Sequence, residues 1–420
     1  MSSLGAESVD SRGIPLLDPA QCTYSFFRQH HLLPNAPVLL PPSLIADWPV
    51  CHWRSVEDSS QTPSLPLTAF RDVKLEESGA CLPLPGAEEE DGTFDTVGDL
   101  LDAWQQGRAK KVYLKDWHLP LWLAKRGEGE ESVSKELYEV PTLWRDDWMN
   151  GYYGAETDDD FRFVYAGGSE TFTPLHRDVY CSYSISTNLF GAKLWHLFPP
   201  NCTPHLLPLI AQAEREGRSV DVRDWDESRR LKMEKMGMRV VRQEQGESIF
   251  IPSGYYHQVT NLSQPTLSLN HNWCNSHNLT AMYSSMCDEV ARCREAIEDV
   301  KELLMRKARQ EGEAAADWRV EWEECVAELV KQSAGWNWST FWRMVRHALK
   351  ALVSPSPTSS SIRWPSVPTS ARPSPQFVAA QVRPALSNFL NRTEEEHKVT
   401  AGLEEVLEDI ERLLVQLEAE

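Results

Sequence analysis

Between Arg162 and Trp273 the chain runs in short stretches of β-branched and aromatic residues, each cut by glycine, proline or asparagine. Segments of that length and composition suit strands, and at this density they close into an antiparallel barrel or jelly roll. Tyr180–Ser186 and Lys193–Phe198 flank Gly191-Ala192, which predicts a hairpin. Residues 203 to 237 interrupt the pattern with charged, helical sequence, and Gly246–Pro252 resumes it.

Inside this region lies Thr173-Pro174-Leu175-His176-Arg177-Asp178. His176 and Asp178 are two residues apart, so on a strand they share a face. His257 follows far downstream, after the turn at Pro252-Ser253-Gly254. Two imidazoles and one carboxylate form the facial triad that holds Fe(II) and leaves positions open. A lone His-x-Asp also describes a strand histidine beside a surface aspartate, and His257 alone a core histidine beside Tyr255 and Tyr256. His118 and His271 sit in no ligand pattern.

Three further residues favour the metal reading. Lys193 starts a strand in an apolar stretch, and a buried ammonium needs an anionic partner. A dicarboxylate such as 2-oxoglutarate supplies one; an exposed hairpin lysine is the alternative. The Thr173 hydroxyl can donate to the same carboxylate. Asn272, in Leu269-Asn270-His271-Asn272-Trp273, suggests a polar cavity lining, although Asn270 and Asn272 also suit a solvent-facing strand edge.

The charge balance excludes one class. With 42 basic against 62 acidic residues the net charge is −20, the wrong sign for a nucleic-acid clamp. Nine cysteines without Cys-x-x-Cys spacing point to a reducing, intracellular compartment. No signal peptide and no membrane span are expected. The cytoplasm is the expected location, with the nucleus second.

Along the chain, 15–160 reads as an N-terminal α/β region packing on the barrel, and 161–275 as the barrel with its helical insertion. Residues 276–353 turn helical, with Leu279, Met282, Tyr283 and Met286 on one stripe. Trp336, Trp338 and Trp342 read as core rather than as a cage around a cation. The Ser/Pro-rich stretch 354–376 is a linker expected to be disordered. Residues 377–420 end in an amphipathic helix, either an intrachain cap or a dimer seam; the oligomeric state stays open.

These blocks together resemble the JmjC-domain family of 2-oxoglutarate oxygenases. The resemblance rests on Thr173–Asp178, Gly191–Pro200, Gly246–His257 and Asn270–Trp273. It implies a mainly β core, a double-stranded β-helix (a jelly-roll, cupin-like JmjC barrel), with flanking helices and a helical C-terminal region. It implies Fe(II) on His176, Asp178 and His257, and O2 as second co-substrate. Tyr113, Thr173 and Lys193 would hold the far carboxylate of 2-oxoglutarate, and Asn272 would sit near it. Some relatives carry asparagine where this chain has Ser186. Asn35–Val38, Tyr113–His118 and Asp159–Tyr165 narrow the likeness to a subgroup of lysyl hydroxylases. Their implied protein partner is the eukaryotic peptide-chain release factor, which places the expected function in translation termination. A histone lysine demethylase and a non-catalytic cupin-like scaffold are the competing readings.

Overall fold

The computed structural model describes residues 13–52, 67, 70–77, 94–126, 137–157, 159–311, 317–353, 367–399 and 402–419. The acidic run Glu88–Asp91 and residues 354–366 of the Ser/Pro-rich stretch lie outside them. The chain divides into two compact units. One comprises residues up to 145, 159–178 and 183–272; the other comprises 146–158, 179–182 and everything from 273 onward.

The first unit holds ten strands among its described residues. They are β1 (Val38–Leu40), β2 (Tyr113–Trp117), β3 (Arg162–Gly167), β4 (Phe172–Arg177), β5 (Tyr183–Phe190), β6 (Lys193–Phe198), β7 (Arg239–Gln243), β8 (Ser248–Ile251), β9 (Tyr256–Asn261) and β10 (Thr266–Trp273), the last ending at the boundary with the second unit. One sheet runs β1-β8-β5-β10-β3-β2 and the other β4-β9-β6-β7; every pairing between them with a printed register is antiparallel. Leu39, Ile249 and Ile251 of the larger sheet pack with Trp195, Leu197, Val241 and Val259 of the smaller one.

Alternation along the smaller sheet decides which side chains enter that interior. Leu175, Phe198 and Tyr256 point outward, into a cluster with Leu206, Val222, Trp225 and Met233 of the insertion. Their neighbours His176, Leu197 and His257 therefore point inward. The insertion forms two helices, Thr203–Arg215 and Glu227–Lys235, and covers the outer face of the sheet.

Several expectations need correction. The predicted hairpin at Gly191 does not form: β5 pairs with β8, whereas β6 pairs with β7 and β9. The turn carries the chain from one sheet to the other. Gly191 has φ +79°, and a Cβ there would come within 2.8 Å of Ser263, so the crossover needs glycine. Nor is the protein mainly β, since helix exceeds strand among the described residues. The second unit is built of helices, and the first adds those of the insertion and of its N-terminal part.

In that unit Trp338, Phe341, Trp342 and Phe389 pack ring against ring, with centroids 4.9 to 6.1 Å apart in their closest pairs. Trp336, Trp338 and Trp342 are all buried, as core residues would be. The segment expected as one terminal helix is three: Pro375–Leu390, Glu394–Lys398 and Leu403–Ala419. Thr393 restarts the chain as an N-cap, its hydroxyl accepting from the Glu396 N–H. The last helix buries Leu403, Val406, Leu407, Ile410, Leu414 and Leu417 within the chain itself.

Candidate active site

β4 and β9 are neighbours, and their register sets His176 directly opposite His257. The two rings lie 4.2 Å apart, centroid to centroid. Asp178 follows one residue beyond the end of β4. The ligand atoms of His176, Asp178 and His257 all lie within 4.8 Å of one another.

Each donor is prepared by its surroundings. His176 Nδ1 sits 2.8 Å from the Pro174 carbonyl oxygen, so Nδ1 carries the proton and the Nε2 lone pair is left for a metal. Ser184 donates to one Asp178 oxygen at 2.7 Å, leaving the other available. Burial pushes His257 down to about 4 and His176 adds to the fall, while Asp178 and the Tyr255 backbone pull the other way. Its imidazole is thus neutral, the form that ligates. Imidazole and carboxylate without thiolate fit a ferrous ion with open positions.

A one-residue irregularity helps to build the site. Thr173 pairs with Val259 and His176 with His257, so three steps on β4 match two on β9. In a regular strand, Thr173 and His176 would face opposite sides. The bulge falls between Thr173 and His176 and includes Pro174, which has no N–H to lose from the ladder, and it turns both side chains inward. The spacing alone conceals this.

The far end of the interior is suited to an anion. Lys193 is 2% exposed; its ammonium donates to Ser268 Oγ at 2.6 Å. No carboxylate pairs with it among the described residues, and burial alone depresses it to about 7. A dicarboxylate would restore its charge. Tyr113 Oη lies 3.4 Å from Thr173 Oγ1. Burial pushes that phenol up to about 12, against its bonds to Thr173 and Asn261, so it stays a neutral donor. A Cβ on Gly167 would come within 2.5 Å of Asn261 Nδ2 and 2.7 Å of the Tyr113 ring; only glycine allows that approach.

The inward face of β10 carries residues that strand polarity alone does not single out. Ser268 bonds to Lys193, and Asn270 accepts from Ser186 at 2.8 Å and from Ser268 at 3.3 Å. Asn270 therefore faces the interior, not solvent. Asn272 shares that face by alternation and is buried. Ser186 thus helps to hold Asn270 in place.

His118 and His271 are otherwise engaged. The buried His271 bonds to the Tyr138 hydroxyl at 2.8 Å. His118 forms a second cluster with Asp159 and Asp160, at 3.5 and 3.0 Å. Arg162 already donates to Asp160 at 2.8 Å. Burial lowers His118, but the bond to Asp160 and the charges of Asp160, Asp159 and Asp116 outweigh it and raise its pKa. This cluster is an ion-pair network.

The profile of the cupin-like domain family matches residues 24–278, more than half the chain. The chain belongs to this cupin-like family, among its JmjC-domain members. It is similar to JmjC domain-containing protein 1 of Schizosaccharomyces pombe, 33% identical over 241 residues, which are 57% of this chain and 47% of that protein. It is also similar to the 2-oxoglutarate and iron-dependent oxygenase JMJD4 of Gallus gallus, 38% identical over 295 residues (67% of this chain, 65% of that one). A third relative is the arginine-specific demethylase JMJ20 of Arabidopsis thaliana, 29% identical over 312 residues (69% and 63%). The chain thus spans about half to two thirds of the length of these relatives.

Proposed function

We propose that this chain is an Fe(II)- and 2-oxoglutarate-dependent protein hydroxylase built on a double-stranded β-helix, and that its target is a lysine side chain of the peptide-chain release factor. The observation that carries the class is the inward-facing set of His176, Asp178 and His257 in one interior with a buried, carboxylate-free Lys193. The lysine target rests on the likeness to the JMJD4 oxygenases and on the subgroup motifs. Such a substrate places the enzyme in the cytoplasm.

Bound iron, with 2-oxoglutarate and O2, supplies the oxidation of an unactivated C–H bond. His176, Asp178 and His257 would hold the metal. Pro174 and Ser184 fix the ligand orientations. Lys193, Ser268, Tyr113 and Thr173 would orient the co-substrate through its far carboxylate, and Asn272 would line the same interior. The apolar cluster around Trp195, Leu197 and Val259 keeps bulk water from the chemistry.

A second reading follows from the likeness to JMJ20, whose name is that of an arginine demethylase. Histone lysine demethylation is the same chemistry on an N-methyl group. Mass spectrometry separates these outcomes. Incubation of the release factor with the loaded enzyme is expected to add the mass of one oxygen atom to a lysine-bearing peptide, dependent on Fe(II) and 2-oxoglutarate. Loss of a methylene mass from a methylated histone, with no gain on the release factor, would overturn the hydroxylase reading.

A further inference from the structure

A lysine hydroxylase must hold an ammonium while a carbon of the same side chain is oxidised, and a cation taken out of water needs a partner. One wall of the interior offers such a partner. The β2–β3 pairing slips between Leu114 and Trp117, so three steps on β2 match two on β3. Asp116 lies in this bulge with φ +54°, a conformation that aspartate, asparagine and glycine tolerate better than other residues. Bulges of this kind re-aim a side chain, and here the carboxylate meets the Tyr165 hydroxyl, which donates to Asp116 Oδ1 at 2.6 Å.

Tyr165 belongs to the active-site face. It pairs across the sheet with Ser268, the partner of Lys193, and its ring lies 6.1 Å from that of Tyr113. Its phenol is held up by burial first, then by Asp116, with Asp178 contributing, so the pair lies within electrostatic reach of the metal ligands. Phe163 shares the face, 6.3 Å from Tyr165. Both rings point inward yet are only half-buried, so they line an opening rather than fill a core.

The charge on Asp116 is unmatched. No lysine or arginine forms an ion pair with it among the described residues; Lys115, next in the chain, sits over the Tyr113 ring at 5.7 Å. His118 feels the Asp116 charge but bonds to Asp160. A carboxylate with one oxygen occupied by a phenol and no cation paired with it among the described residues is an environment a primary ammonium prefers.

We propose that Asp116, oriented by Tyr165, receives the cationic end of the substrate side chain and thereby selects lysine over an uncharged residue of the same length. This rests on the hydroxylase reading for its biological meaning, but the site can be tested by binding alone. The probes are Nα-acetyl-lysine methylamide and its norleucine counterpart. They are titrated anaerobically into the full chain carrying Fe(II) and 2-oxoglutarate, and the shift of the visible charge-transfer band is followed.

The lysine probe is expected to shift the band at least about tenfold more tightly than the norleucine probe. Asp116→Asn, which suits the same backbone conformation, should abolish that preference and leave the unshifted band intact. Tyr165→Phe should reduce the preference without removing it. Equal binding of the two probes to the wild type, or an undiminished preference in Asp116→Asn, overturns the assignment. If Asp116→Asn lost the band itself, Asp116→Gly, which also fits the positive φ, gives the same reading. The two claims fail separately. An Asp116-dependent lysine preference without oxygen added to any lysine protein sinks the hydroxylase reading alone. Undiminished lysine hydroxylation by Asp116→Asn sinks the Asp116 assignment alone.

Discussion

Two groups of residues in the first unit offer the same kinds of ligand, and only one is fit for a metal. His176, Asp178 and His257 face inward, and so far as hydrogen bonds are concerned each has one coordinating atom held and one left over, or none held at all. His118, Asp159 and Asp160 lie as close together, but Arg162 sits on Asp160 and the histidine is held toward its charged form. The difference is not ligand type or proximity. It is whether the local charge has already been balanced by the protein. A metal binds where the protein leaves a neutral imidazole and an unmatched carboxylate, and is kept out where an arginine has taken the cation's place.

Substitutions can break this contrast or sharpen it. The largest effect is expected from His176→Ala and Asp178→Ala, each weakening Fe(II) binding by about a thousandfold or more, since a first-row metal on two ligands is held poorly. Anaerobic titration measures it; comparable weakening by His118→Ala would erase the distinction between the clusters.

Next comes Lys193→Met, expected to weaken 2-oxoglutarate by about a hundredfold, the scale of a buried charge pair that loses one member. Equilibrium binding to the Fe(II) form measures it. The same variant has an opposite effect on the ligand-free fold. The folded Lys193 pKa, about 7, lies below its unfolded value of about 10.4. The fold therefore binds fewer protons between those limits, and its stability from this group rises with pH across that window. Lys193→Met should be more stable than the wild type near pH 7, and the gap should close as pH approaches 10. A gap that is constant with pH would show that Lys193 is not buried in this way.

Ser184→Ala removes only the hydrogen bond to Asp178. About a tenfold loss in metal affinity is expected, at the low end for outer-shell partners. An unchanged affinity would mean that Asp178 is oriented by the backbone alone. The smallest effect belongs to His118→Ala, which should leave metal affinity within about twofold. It should cost about 1 kcal/mol of stability at most, because its side chain is partly exposed and the ion pair is screened; denaturant unfolding measures that cost.

The same contrast explains what could be read before any coordinates. The convergence of His176, Asp178 and His257 was legible because His-x-Asp and a remote histidine after a glycine turn are rare together, and the burial of Lys193 because a cation in an apolar stretch demands an explanation. Fold class was legible in part. Short strands declared the antiparallel sheets, but the turn at Gly191 looks the same whether it closes a hairpin or crosses between sheets, and only long-range pairing decides. The balance of helix over strand is hidden in the sequence because the strands carry the strongest local signals. Asn270 was ambiguous because a polar residue facing a cavity and one facing solvent alternate alike. Asp116 lies in a block that carries the subgroup likeness, but nothing there marks its role, which depends on a bulge and on Tyr165, 49 positions away in the chain.

The most direct test of the central claim is an anaerobic titration of the purified chain with Fe(II) in the presence of 2-oxoglutarate, followed in the visible region. A charge-transfer band saturating at one iron per chain, absent in His176→Ala and unchanged in His118→Ala, is the expected result. A colourless wild-type protein, or a band that survives loss of His176 and vanishes with His118, would contradict the account.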